Sequence, residues 1–307
     1  TLIYTLYGGL RASILTDNFQ FLIIVILLLV SMYSIFISDF VSYKSIVSNS
    51  GVLLSGKYIP NYTSGLTFFI AVAATNLFHQ GNWQRVFAAK NYDVLNKSLK
   101  LSFLIIIPIV FFMGITGIIA ITTNDTINPD LAFFSILLKG KTKLLHMLVI
   151  ILAISLTVST VDTLVNAISS LILVDGKKIN KNLKSSNGFV IFLSIIALFI
   201  ASKGFSILYL FLLADLLCCA AVFPVFYGFY KKKFSEKKAI ISIIFGLLLG
   251  LLVFPTPDYA KSLLIGTLLP FDLFPKIISS SLLFWSFLIA TLGPVIVIMS
   301  YDSFKRR

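Results

Sequence analysis

Eight stretches of this chain are long and apolar enough to span, or in the short fifth and seventh nearly to span, a lipid bilayer. They run over approximately residues 18–38, 64–83, 101–121, 144–174, 189–202, 206–229, 239–254 and 281–299. A helix rises about 1.5 Å per residue and the hydrocarbon core of a bilayer is about 30 Å thick, so these runs span it or nearly do. Lipid offers no partner to a backbone N–H or C=O, so each run must satisfy its own by folding as a helix. None alternates apolar and polar residues as a barrel strand does. The expected fold is an all-α polytopic membrane protein, a single transmembrane domain over residues 1–307 with the lipid bilayer as its surroundings.

Composition agrees. Hydrophobic residues make up 58% of the chain and charged residues 12%, against roughly 25% charged in ordinary soluble domains. The net charge of +13 could suggest nucleic acid. The basic residues, however, lie in short clusters between apolar runs, as in membrane-flanking loops, and no nucleic-acid partner is expected.

Those clusters also orient the chain. Arg11, the connections after the second, fourth and sixth runs, and the Lys305-Arg306-Arg307 tail together hold 17 of the 25 basic residues. The alternate connections hold the other eight, spread over longer loops. The basic side is expected to be cytoplasmic, with the tail on it. The loops over 39–63, 122–143 and 255–280 are then external, and they contain turn formers such as Pro60-Asn61, Asn128-Pro129 and Pro255-Thr256-Pro257. The first residues read as a connection between helices, with no charged leader or cleavage site, so further sequence is expected to precede them. Cys218 and Cys219, the only cysteines, are adjacent in an apolar run and read as reduced packing residues.

Two runs carry polar side chains where lipid would penalise them. The second ends in Thr75, Asn76, His79, Gln80 and Asn82. The fourth contains Ser155, Thr157, Ser159, Thr160, Asp162, Thr163, Asn166, Ser169 and Ser170. A carboxylate at mid-span costs at least about 2.5–3.5 kcal/mol, so Asp162 is expected to face a polar interior. The surrounding hydroxyls are hard oxygen ligands, which suit Na⁺ or a proton and not a transition metal. The competing reading is that small and hydroxyl residues only pack helices together and back-bond to the carbonyl one turn earlier. For Ser159 and Thr160 the residues alone leave both readings open. Ser169 and Ser170 favour packing, and His79 alone reads as an interfacial histidine.

Four stretches resemble, in order, a known family. Gly8-Gly9, Thr16-Asp17 and Gln20 are similar to the entry into the fifth core helix of sodium:solute symporters. Asn76 through Lys90, with Gln84-Arg85 and Ala88-Ala89-Lys90, resembles the end of the sixth. Ser159-Thr160, Asp162 and Ser169-Ser170 resemble the eighth, and Ala214-Asp215 through Gly228 falls where the tenth belongs. The resemblance implies a partial fold of the leucine-transporter type, built on inverted repeats with broken helices. The second repeat would lie at about 64–229 and extra helices at about 239–299, with the first four core helices missing. It also implies that the hydroxyls of Ser159 and Thr160 and the carbonyl of Leu156 bind Na⁺ as the coupling ion, while Asp162 organises that helix. Candidate solute contacts are Thr75, Asn76, His79, Gln80 and Asp215, with Asp215 open to either reading, a residue facing the cavity or the cap of a packing contact.

The reading that follows is Na⁺-coupled symport of a small polar solute, with no cofactor and no reaction on covalent bonds. A urea or polyamine carrier of the same family, driven by Na⁺ or H⁺, is the alternative; the segment His79 to Trp83 bears some resemblance to those carriers. Two other classes compete: a membrane sensor module on the same fold, and an intramembrane enzyme pairing Asp162 with Asp215.

Overall fold

The computed structural model describes residues 2–37, 43–123, 129–139, 142–175, 183–231, 234–265 and 276–304. Asn128 of one expected turn, and Lys141, Lys177, Lys178, Lys181, Lys232, Lys233 and the Lys305–Arg307 tail of the charge pattern, lie outside them. Each of the eight apolar runs is helical over most of its described residues. In chain order the helices are α1 (Leu2–Phe36), α2 (Tyr43–Asn49), α3 (Ile59–Phe78), α4 (Gln80–Ala88), α5 (Tyr92–Thr123) and α6 (Ala132–Leu138). Then come α7 (Lys143–Asp175), α8 (Leu183–Ala201), α9 (Ile207–Tyr230), α10 (Glu236–Val253), α11 (Lys276–Ser279) and α12 (Leu282–Phe304). Among the described residues, five segments are long and apolar enough to cross a membrane: Ser13–Phe36, Tyr92–Thr122, Lys143–Ile172, Ile207–Tyr230 and Leu282–Ser300. The apolar part of α8 is shorter, α3 carries Asn61, Thr63 and Ser64 in its first two turns, and α10 opens with Glu236-Lys237-Lys238.

Two expectations are corrected. The opening residues, read as a connection, are helical from Leu2 and continue into the first span without interruption. Their glycines, Gly8 and Gly9, lower helix propensity but lie in a helix long enough to carry them. The second run is not one helix. It stops at Phe78, His79 takes an extended conformation at φ −71° and ψ 100°, and a new helix starts at Gln80. The interruption lies inside the most polar stretch of the run. There Asn76 Nδ2 donates to the Val72 carbonyl at 2.8 Å, a side-chain bond that competes with the backbone ladder.

The chain divides into two compact units. One comprises residues 1–54 and 80–204. In it α1 and α4 both lie along α7, and α5 packs on α6. Its core gathers Ile35, Phe112, Ile119, Ala120, Ile136, Leu137 and Val149.

The other unit comprises residues 55–79 and 205–307. Here α9, α10 and α12 pack against one another, with α3 on α9 and α12. Small residues let the backbones approach, as is usual between membrane helices: Ala71 and Ala74 of α3, Ala220 of α9 and Ala290 of α12 are all buried. Ser206 caps α9 by accepting the Tyr209 N–H, and the Tyr209 hydroxyl donates to the Pro255 carbonyl at 3.1 Å. After α10, Asp258 accepts from the Thr256 hydroxyl and the Ala260 N–H, which hold its carboxyl below the usual carboxylate range. This is an all-α polytopic membrane protein.

Candidate functional site

On α7 the polar residues Ser159, Asp162, Thr163, Asn166 and Ser170 follow one another at helical spacing and form a single stripe. On α1 the same spacing relates Ser13, Thr16, Asp17 and Gln20. Because these two helices lie side by side, the two stripes meet. Asp17 Oδ1 accepts from Ser159 Oγ at 2.9 Å. Its other oxygen, Oδ2, accepts from Arg85 Nη2 of α4 at 2.7 Å, and the same nitrogen donates to Thr163 Oγ1 at 2.8 Å. Three of the four stretches that carry the family resemblance, spread over about 140 residues of sequence, thus form one continuous hydrogen-bonded seam.

The ion pair is partly open. The Arg85 side chain is 44% exposed and that of Asp17 21%. Pairs of this kind contribute about 0–1 kcal/mol to stability where solvent screens them, so orientation is their stronger effect. Asp162 is different, with 0% exposure. Its carboxylate accepts from Thr16 Oγ1 at 3.2 Å and from Asn166 Nδ2 at 3.0 Å, and Asn166 also donates to the Asp162 carbonyl at 3.1 Å. It faces protein and not lipid, as mid-span cost requires. Gln84 of α4 extends the seam, donating to Ser170 Oγ and, at 3.2 Å, to the Asn166 carbonyl. Gln20 Oε1 is buried there without a hydrogen-bond partner among the described residues.

The expected ion ligands are placed unevenly along this seam. Ser159 is on it, paired with Asp17. Thr160 lies about 100° further round the helix, is exposed, and donates to the Leu156 carbonyl at 2.9 Å. Asp162, one turn on from Ser159, has its own donors. The hydroxyls of Ser159 and Thr160 therefore reach different partners, while Thr160 Oγ1 and the Leu156 carbonyl are brought together.

The expected solute contacts divide at the helix break. Gln80 opens α4, in the same unit as the seam. Thr75, Asn76 and His79 belong to the other unit, where Thr75 Oγ1 donates to Asp215 Oδ1 at 2.5 Å. Two of the five candidates thus meet directly. Asp215 is 7% exposed, while Asn76 is exposed and bonded to its own helix.

No family model and no solved structure matches the chain. It is 30% identical over 271 residues to a spermidine transporter of Candida albicans, covering 84% of this chain and 50% of that protein. The chain spans about half the length of the curated relative it matches. With its helices and this relative, it is an integral, multi-pass membrane protein.

Residues that the sequence singled out without giving them a site role are central to the seam: Thr16, Asp17, Gln84, Arg85 and Asn166. A signal for them existed. Each is a polar residue in or beside an apolar run, and on α1 and α7 they recur at three- and four-residue spacing. What the sequence could not supply was that the two stripes face each other.

Proposed function

We propose that this chain is part of a secondary transporter that carries a small polar solute across the membrane by alternating access, with Na⁺ as the coupling ion. The observation that carries this reading is the seam joining Asp17, Arg85, Ser159 and Thr163 between otherwise apolar helices. Helices that only had to pack against each other would not need a charged pair and a row of hydroxyls there. Its carboxylate and hydroxyl oxygens are hard ligands, as are the Thr160 hydroxyl and Leu156 carbonyl beside it on α7, and such oxygens suit Na⁺. In this reading Ser159 and Thr160 bind the ion and Asp162, held by its own donors, fixes the helix that presents them. The broken span supports a solute site close to the interruption, because discontinuous helices are where membrane transporters commonly form their binding sites. Thr75, Asn76, His79 and Gln80 surround that break in sequence.

A second reading narrows the solute to a polyamine, and the similarity to a spermidine transporter supports it. No covalent chemistry is involved in either case.

The test is uptake by the full-length protein in proteoliposomes, with and without an inward Na⁺ gradient. Replacing Ser159 and Thr160 together by alanine removes two oxygen ligands and little volume. The Na⁺ concentration for half-maximal uptake is expected to rise roughly tenfold or more, since each lost bond to a charged group is worth about 1.5–3 kcal/mol. A double variant that transports with unchanged Na⁺ dependence removes these residues from the ion site.

A further inference from the structure

Among the described residues, three carboxylates lie in the apolar helices away from their first and last turns, and they are balanced differently. Asp17 has the Arg85 guanidinium. Asp162 is enclosed by a hydroxyl and an amide that both donate to it. Asp215, on α9, accepts a single hydrogen bond, from the hydroxyl of Thr75. Among the described residues that is its one hydrogen-bond partner, although the residue is more than nine-tenths buried. Its own helix and the α3 and α12 that pack beside it contain no lysine or arginine, and α10 carries its lysines only in its first turn. A single neutral donor does not compensate a carboxylate held away from water. Such a group is retained where a cation visits it or where a proton neutralises it.

We infer that the Thr75–Asp215 pair is the counter-charge for a protonated amine, so that the solute is an organic ammonium ion recognised at Asp215. The inference rests on the transport reading above and names the group of the solute that the protein would recognise. Thr75 fixes Oδ1, which leaves Oδ2 as the acceptor for the incoming N–H. Thr75 lies one turn before the break at His79, so the pair is joined through α3 to the interrupted part of the span. A neutral solute would leave the carboxylate as uncompensated as before, and a charge-assisted bond from an ammonium corrects that. Cys218 follows Asp215 by three residues, on the same side of α9, and is half-buried. It is a built-in reporter of occupancy.

The experiment uses the full-length protein with Cys219→Ala, leaving the Cys218 thiol, and reads the rate of maleimide labelling at Cys218. Two ligands of equal length are compared at constant ionic strength: 1,4-diaminobutane, doubly charged at neutral pH, and 1,4-butanediol, which is neutral. The diamine is expected to slow labelling and the diol to leave it unchanged. In Asp215→Asn the diamine concentration for half-protection should rise about tenfold or more, and in Asp215→Glu it should move far less. Protection retained in Asp215→Asn overturns the inference and points to a carboxyl that is protonated in the native protein. Equal protection by the diol and the diamine also overturns it, and needs no variant to fold. No protection by the diamine in a protein that takes up solute refutes the amine assignment and leaves the transport reading standing. A full-length protein that takes up no solute refutes both.

Discussion

Adding one methyl group at Gly246 tests a close helix contact, that between α10 and α12. The helices α10 and α12 touch backbone to backbone, with Gly246 and Gly250 of one facing Ala290, Gly293 and Pro294 of the other. A β-carbon built on Gly246 would lie 2.6 Å from both Cδ and Cγ of Pro294 and 2.8 Å from the Ala290 carbonyl oxygen. Carbon atoms attract best at about 3.5–4.0 Å, so the methyl falls roughly 1 Å short of a tolerable contact. Neither neighbour can swing aside, since one is a proline ring and the other is backbone. The helices must separate. That movement also loosens the buried bond from Ser286 Oγ to the Gly250 carbonyl, 2.8 Å long. Overpacking of this kind costs about 1–3 kcal/mol, and a weakened buried hydrogen bond adds about 1 kcal/mol. Alanine regains about 1 kcal/mol of helix propensity. Gly246→Ala is therefore expected to destabilise by about 1–3 kcal/mol. The assay is equilibrium unfolding in detergent micelles, with Gly65→Ala of α3 as the matched control. A β-carbon at Gly65 meets nothing within 4 Å, so that variant should be neutral or gain up to about 1 kcal/mol. Equal stability of the two variants would refute the close approach of α10 and α12.

Two further predictions address the seam and the orientation. Asn166→Ala removes a donor from the fully buried Asp162 carboxylate and should cost about 1–3 kcal/mol in the same unfolding assay; wild-type stability would mean that Asp162 is satisfied without it. In a background lacking Cys218 and Cys219, a cysteine placed at Lys261 should react with an impermeant thiol reagent on intact cells, and one at Lys231 should not. Labelling at Lys231 from outside would reverse the orientation drawn from the basic residues.

The helical state of the apolar runs and the membrane class were legible in the chain because both follow from local composition: an apolar run in lipid has no other way to satisfy its backbone. The burial of Asp162 followed in the same way, from the cost of a carboxylate at that depth. The break at His79 was not legible as a break. No proline marks it, and its polar residues are equally consistent with a continuous helix that ends in water. The contacts of the seam lay further out of reach. Ser159 and Thr160 are neighbours in sequence, yet the turn of the helix sends the first to Asp17 and the second back to Leu156. Asp17, Arg85 and Thr163 look like isolated charges and hydroxyls until α1 and α4 are laid along α7. Gly246 and Gly250 are spaced to suit a close helix contact, but only the partner helix shows which atoms fill the space. Periodicity along one helix says which residues share a face; which face meets which is set by packing between helices far apart in the chain, and that was decided by the tertiary structure alone.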